Sequence, residues 1–175
     1  MAVYRAIDLC SGIGGAALGY HAAGFLTFGA DINPKAVAMA NANGLCSTQM
    51  DLFAEDAVER LRHVYAEDAF ESLRQAKGAD LVHASPSCRG YSQASNATPE
   101  HKARECALTT RVAEVISELA PPVWVIENVL HARHHPTFVA AIETLQNAGY
   151  HVVTVSPTRR RSQRRGAHNR DDACS

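Results

Sequence analysis

The stretch 84–93, Ala-Ser-Pro-Ser-Cys-Arg-Gly-Tyr-Ser-Gln, presents one thiol, Cys88, between a Pro-Ser pair and an Arg-Gly turn. It follows directly on Asp80-Leu81-Val82-His83, an apolar run that reads as a strand. A thiol is a small apolar group that usually packs in a core. At the end of a strand, however, it falls where open α/β sheets bind their ligands, and there it can serve as a nucleophile. A second candidate is 8–19, Asp-Leu-Cys-Ser-Gly-Ile-Gly-Gly-Ala-Ala-Leu-Gly, where Gly12, Gly14 and Ala17 satisfy Gly-x-Gly-x-x-Ala. Glycines at this spacing permit a tight strand-to-helix turn and let the backbone approach a ligand at a helix N-terminus. Asp31 follows Gly12 by 19 residues at the end of a second strand-like run, the place of an acid that bonds ribose hydroxyls.

Those features alone fit a dinucleotide as well as other nucleosides. Asp51 separates the two. It ends a third strand-like run and is followed by Leu52 and Phe53. An acid there accepts a bond from an adenine amino group, with Leu52 and Ile32 flanking the ring. One acid for ribose and another for adenine suits S-adenosylmethionine better than NAD.

The elements that must hold these groups alternate. Strands are expected over 3–8, 27–30, 47–51, 80–84, 123–127 and 150–155, and helices over 13–23, 34–43, much of 55–76, 99–119 and 136–148. Pro34 stands in the first turn of its helix, and Thr98 is placed to cap the long one, with Glu100 and Glu105 early in it. Strands alternating with helices predict a doubly wound α/β domain, a mostly parallel sheet with helices on both faces and right-handed crossovers. No internal repeat is present.

Length and composition set bounds. With 175 residues, 46% hydrophobic and 20% charged, the chain reads as one soluble domain with a real core. No apolar run approaches the roughly 20 residues of a membrane span, and no signal peptide is expected. Five cysteines (10, 46, 88, 106 and 174) without a Cys-x-x-Cys argue for reduced thiols and a cytoplasmic setting. The cluster His131-Ala132-Arg133-His134-His135 lacks thiolates or carboxylates at ligand spacing, so no metal is expected. Charge is uneven: 158–175 holds six arginines against two aspartates, a net +4, and reads as an Arg-rich disordered tail. Residues 1–157, the expected catalytic domain, carry 11 basic against 16 acidic groups, a net −5, where a nucleic-acid enzyme normally shows a basic footprint.

Taken in order, Asp-Leu-Cys-Ser-Gly-Ile-Gly-Gly (8–15), Ala-Asp-Ile-Asn (30–33), Met-Asp-Leu-Phe (50–53), Ser-Pro-Ser-Cys-Arg-Gly-Tyr-Ser (85–92) and Val-Ile-Glu-Asn-Val (125–129) resemble the cytosine-C5 DNA methyltransferases over residues 5 to 155. The resemblance implies methyl transfer from S-adenosylmethionine to C5 of cytosine in DNA, with Cys88 adding to C6 and Glu127 acting as the acid at N3. It implies a cofactor site from Asp8, Cys10, Ser11, Gly12, Ile13, Gly14 and Gly15, with Asp31, Ile32, Asp51, Leu52 and Pro86. Ser87, Ser92 and Asn128 would support the loops. Cys10 stands where the family often has an aromatic residue. Ser87 replaces the second proline of Pro-Pro-Cys, which predicts a looser loop, and Arg89 and Tyr91 replace the common Gln and Phe. Arg165 ends a Gln-x-Arg that lacks the second arginine of the family's Gln-x-Arg-x-Arg. The family's target-recognition domain has no counterpart, which points to a split or truncated enzyme with a partner polypeptide. Alternatives are an inactive S-adenosylmethionine-binding relative and an RNA cytosine methyltransferase.

Overall fold

The computed structural model describes residues 4–64, 78–91 and 98–156. The central strand is β1, Arg5–Leu9, buried at every position. It is flanked by β2 (Leu26–Asp31) and β4 (Leu81–Ala84), with β3 (Ser47–Gln49) outside β2 and β5 (Val123–Ile126) outside β4. All four pairings are parallel, in the order β3-β2-β1-β4-β5. The chain therefore winds outward from β1 in one direction, then returns to wind the other way. The crevice at that reversal, beyond the carboxyl ends of β1 and β4, is where such sheets bind ligands.

Among the described residues there are five α-helices: α1 Gly15–Ala22, α2 Pro34–Ala42, α3 Ala57–His63, α4 Pro99–Leu119 and α5 Pro136–Asn147. Three of them start in one way, with proline in the first turn behind a polar cap. Asn33 accepts from Lys35 N, Thr98 from His101 N and His135 from Thr137 N, each satisfying a backbone donor that the helix leaves over. Ile7, Leu9, Val82 and Ala84 project from one sheet face into the main core, which α3, α4 and α5 close with Leu61, Val112, Val115, Ile116 and Leu145. The opposite face carries the thinner layer of α1 and α2, where Ala17, Ala40 and Leu45 form a small satellite cluster.

Two expectations change. The helix expected from residue 13 starts at Gly15, because Gly12 and Gly14 have φ of 54° and 91° and cannot join a right-handed helix. The expected strand 150–155 is not one: 151–156 carries no strand, and the sheet ends at β5 among the described residues. Tyr150 is instead clipped to the start of β5, its hydroxyl donating to Pro121 O at 2.8 Å and its ring edge-on to Trp124. Val153 and Val155 are exposed. A strand exists only beside a ladder partner. Ser92, the helical character expected beyond residue 64, the tail and its Arg165, and Cys174 lie outside the described residues. No described helix is long and apolar enough to cross a membrane.

Gly14 and Gly24 have nearly equal φ, 91° and 89°, but only at Gly14 would a Cβ collide with the Leu45 side chain. Gly24→Ala should cost about 1–2 kcal/mol, the penalty of a left-handed alanine. Gly14→Ala should cost clearly more. Urea unfolding of the two variants checks this; equal costs would remove the packing component.

Candidate active site

The glycine turn leaves β1 and is fixed by Asp31, the last residue of β2. Asp31 Oδ2 accepts from Gly12 N at 2.8 Å and Oδ1 accepts from Asn33 N at 2.8 Å. Each carboxylate oxygen keeps lone-pair capacity for a further donor. Beside it lies a cleft of about 480 Å³ at the carboxyl ends of β1, β2 and β3. Of the expected cofactor residues, Cys10, Asp31, Ile32, Asp51 and Leu52 line it, as does Ser87. Asp51 lies just past β3 rather than on it, and its Oδ1 accepts from Phe53 N at 3.0 Å. Its Oδ2 meets the Arg104 guanidinium at 2.9 Å, and that group also lies 5.5 Å from the centre of the Phe53 ring. Arg104, on α4, was not anticipated from the sequence. Its only signal there was a basic side chain four residues before Leu108, on the same face of the helix, and Leu108 also lines the cleft.

Ser11, Gly12, Ile13, Gly14, Gly15 and Pro86 surround the turns above this cleft without lining it. The Ser11 hydroxyl is buried without a partner. Cys10 adopts φ 57° and is half-buried. Burial, then Asp31 and Asp8, push its thiol up to about 12, so it stays protonated. Burial and Glu105 likewise raise the Cys106 thiol. Cys88 is exposed on the loop after β4.

That loop is anchored downstream of the thiol. Arg89 Nη2 meets Glu105 Oε1 at 2.8 Å. Gly90 lies against α4 so closely that a Cβ would come within 2.8 Å of Cys106 Sγ and 3.0 Å of Lys102 O. The Tyr91 hydroxyl donates to Thr109 Oγ1 at 2.7 Å and lies 3.2 Å from Thr137 Oγ1. Upstream, Asn128 Nδ2 donates to Pro86 O at 3.2 Å, joining the loop after β5 to the loop after β4. Ser87 adds a contact of its own, its hydroxyl accepting from Arg89 N at 3.3 Å. Arg89 and Tyr91, which depart from the family pattern, are thus among the residues that dock the loop.

Glu127 follows β5 directly, and its N–H extends the ladder to Ala84 O at 2.9 Å. Its side chain is 69% exposed. It shares one sheet face with two buried polar groups, because side chains alternate along each strand. Asp8 on β1 is the register partner of His83 on β4. They are 1% and 2% exposed, and Asp8 Oδ1 lies 2.7 Å from His83 Nδ1. On the other side of the ring, His83 Nε2 lies 3.7 Å from Glu127 Oε2. Asp8, expected at the cofactor, is sealed from the cleft and engaged with this histidine. His83 was missed in the sequence, although a histidine inside an apolar strand was its visible signal.

The His83 imidazole has its pKa raised from 6.5: burial works to lower it, but the bond and charge of Asp8, with Glu127 adding, outweigh that. The charged and titratable groups facing it are Asp8 from β1, Glu127 from β5 and Tyr20 from α1, whose ring stands 5.6 Å away. A group whose folded pKa lies above its unfolded one stabilises the protein fully below the unfolded value and loses that effect as pH rises through the folded one. Stability should therefore decline above pH 6.5 by a component that Asp8→Asn reduces, Asp8 being the larger of the two raising partners. Urea midpoints measured across pH 6–9 for both proteins check it; parallel curves would refute it. Among the described residues no three His, Cys, Asp or Glu side chains gather in a metal-binding group.

A family model for C-5 cytosine-specific DNA methylase matches residues 4–158. Type II methyltransferase M.XorII of Xanthomonas oryzae pv. oryzae (strain KACC10331 / KXO85) is 29% identical over 153 residues, 85% of this chain and 34% of that protein. The chain thus spans about a third of the length of this curated relative. Among solved structures, a SAM dependent methyltransferase from Archaeoglobus fulgidus aligns with a TM-score of 0.51 at 16% identity, covering 86% of this chain and 62% of that one. A TehB-like SAM-dependent methyltransferase from Corynebacterium glutamicum ATCC 13032 Kitasato gives 0.49 at 12% identity, covering 85% and 66%. At such identities the likeness is one of fold. The matched family model covers every element from β1 to α5, the glycine turn, and both Cys88 and Glu127. The chain belongs to the C-5 cytosine-specific DNA methylase family, whose methyl donor is S-adenosylmethionine.

Proposed function

We propose that this chain is the cofactor-binding and catalytic part of an enzyme that methylates C5 of cytosine in DNA. The observation that carries the reading is the placement of Cys88 and Glu127 on loops after two adjacent strands, β4 and β5, joined by the Asn128–Pro86 bond. In the cleft, Asp31 would bond the ribose hydroxyls and Asp51 the adenine amino group, with Ile32 and Leu52 beside the ring; S-adenosylmethionine, when bound, supplies the methyl group from its sulfonium. The cleft fits that ligand, since Asp31 is already held by two backbone donors and still has acceptor capacity. Asp51 is shared with Arg104, which must move or tolerate the adenine edge.

Cys88 would add as thiolate to C6 of the base while Glu127 delivers its proton to N3, which makes C5 an enamine carbon nucleophilic enough to take a methyl group. Loss of the C5 proton to a base, with the N3 proton returning to Glu127, then expels the Cys88 thiolate and restores the ring. Neither Cys10 nor Cys106 suits this work, because burial holds each as a protonated thiol. The target base must leave the duplex to reach Cys88. The net −5 of residues 1–157 offers few phosphate contacts to offset that extrusion. We therefore assign DNA engagement to a recognition domain acting with this chain, in the cytoplasm.

Asp31→Ala should weaken S-adenosylmethionine binding by about 1–3 kcal/mol, the usual loss for a charged hydrogen-bond partner, while NAD should not bind detectably. Calorimetric titration of the full chain with both ligands reads this, and tighter binding of NAD would sink the cofactor assignment. For the chemistry, DNA carrying 5-fluorocytosine traps the C6 adduct because fluorine at C5 blocks elimination. With a recognition domain supplied in trans, mass spectrometry should find the adduct on Cys88 alone and none with Cys88→Ser. Persistence in that variant, or vigorous methylation of duplex DNA by the 175-residue chain alone, would refute the proposal.

A further inference from the structure

A histidine buried between two carboxylates, one sealed in the sheet and one exposed to solvent, is more than core packing requires. Asp8 accepts at Oδ1 from one side of the ring, so Nδ1 carries a hydrogen, and a carboxylate in that position fixes both ring orientation and tautomer. The opposite nitrogen, Nε2, then points along the sheet face to Glu127 Oε2 at 3.7 Å. Asp8 and His83 lie on the adjacent strands β1 and β4, and Glu127 immediately follows the next strand, β5. The arrangement is costly, since Asp8 Oδ2 is buried with no hydrogen-bond partner. An apolar pair of similar volume would fill the space without that cost.

We propose that His83, clamped by Asp8, is a positioning residue for Glu127. Its Nε2–H engages Oε2 of the carboxyl group and leaves Oε1 to carry the proton presented to cytosine N3. When Glu127 gives up that proton, the carboxylate left behind faces an imidazolium already in place, and the same pair steadies it until N3 returns the proton as the ring is restored. His83 is unchanged at the end of the cycle. The raised pKa of the imidazole agrees with this, because a ring between Asp8 and Glu127 keeps both protons where a free histidine has lost one. This role rests on the cytosine reading of Cys88 and Glu127, whereas the coupling between His83 and Glu127 does not.

Two measurements separate these. In the full chain with neither DNA nor cofactor, histidine-selective ¹⁵N NMR across pH 5–9 reads the His83 ring, with Asp8, Glu127 and Tyr20 as the groups facing it. The wild-type ring should stay doubly protonated above pH 6.5, and Glu127→Gln, at an exposed position that leaves the fold intact, should move its midpoint down. A midpoint that ignores Glu127→Gln overturns the proposal. The second measurement is the rate of adduct formation on 5-fluorocytosine DNA with the recognition domain supplied. His83→Leu should slow it roughly tenfold or more while S-adenosylmethionine binding holds. His83→Gln, whose amide can donate from near the Nε2 position, should recover part of the loss. Equal losses in the two variants would reduce His83 to packing and overturn the proposal. Absence of any wild-type adduct would bring down the parent reading and the role built on it, with the NMR midpoint still deciding whether the two side chains are coupled.

Discussion

The backbone ladder between β1 and β4 is the contact on which the rest of the molecule depends. It joins the two halves of the winding, because β1 leads outward to β2 and β3, while β4 and β5 return on its other side. Its register sets Ile7 against Val82 and Leu9 against Ala84 on the face covered by α3, α4 and α5, and Asp8 against His83 on the other. A slip of one residue would turn every side chain of one strand to the opposite face. Asp8 would then lie among leucine and valine side chains, and its 2.7 Å contact with His83 would be lost. The apolar pattern and the polar pair therefore enforce the same register, and that register carries Cys88 and Glu127 to the same edge of the sheet as the glycine turn.

The two flanks of this edge are stabilised in different ways. Beside the glycine turn, the backbone N–H groups of Gly12 and Asn33 converge on one carboxylate, Asp31, and short backbone bonds to a charged acceptor are among the stronger kinds. On the Cys88 side, the loop is docked by side chains onto α4 and α5. The Arg89–Glu105 pair is part of that docking, but Arg89 is 66% exposed, so solvent screens much of its worth. The buried contribution comes from the close seat of Gly90 on α4 and the Tyr91 hydroxyl among Thr109 and Thr137. A long helix thus serves as the wall of the cleft and as the platform for the loop. Arg104, Glu105 and Leu108 line the cleft while Thr109 holds the loop. The loop and the cleft share this one support.

Burial divides the thiols and acids of the site. Apolar surroundings and nearby carboxylates raise the pKa of the Cys10 and Cys106 thiols, whereas Cys88 lies exposed on its loop. Asp8 and Glu127 flank one imidazole but differ in access, the first sealed in the sheet and the second exposed to solvent.

Much of this was legible along the chain. Alternating apolar runs and helical segments specified a parallel α/β sheet, because each strand end and each proline-started helix carries its signal locally, as at Asn33-Pro34 and Thr98-Pro99. The glycine turn, Asp31, Asp51 and Cys88 were visible from residue type and spacing, and Glu127 through the resemblance to a family motif. What the sequence could not carry were relations between residues far apart in it. The pairing of Asp8 with His83, 75 positions on, needs strand order and register. The seat of Arg104 on Asp51, 53 positions away, needs a helix laid across the sheet edge. Residues 150–155 had the composition of a strand and did not become one, because strand formation depends on a neighbouring backbone to pair with, which no local pattern supplies. Local propensity chose the elements, and only the packing of those elements decided which polar groups would meet.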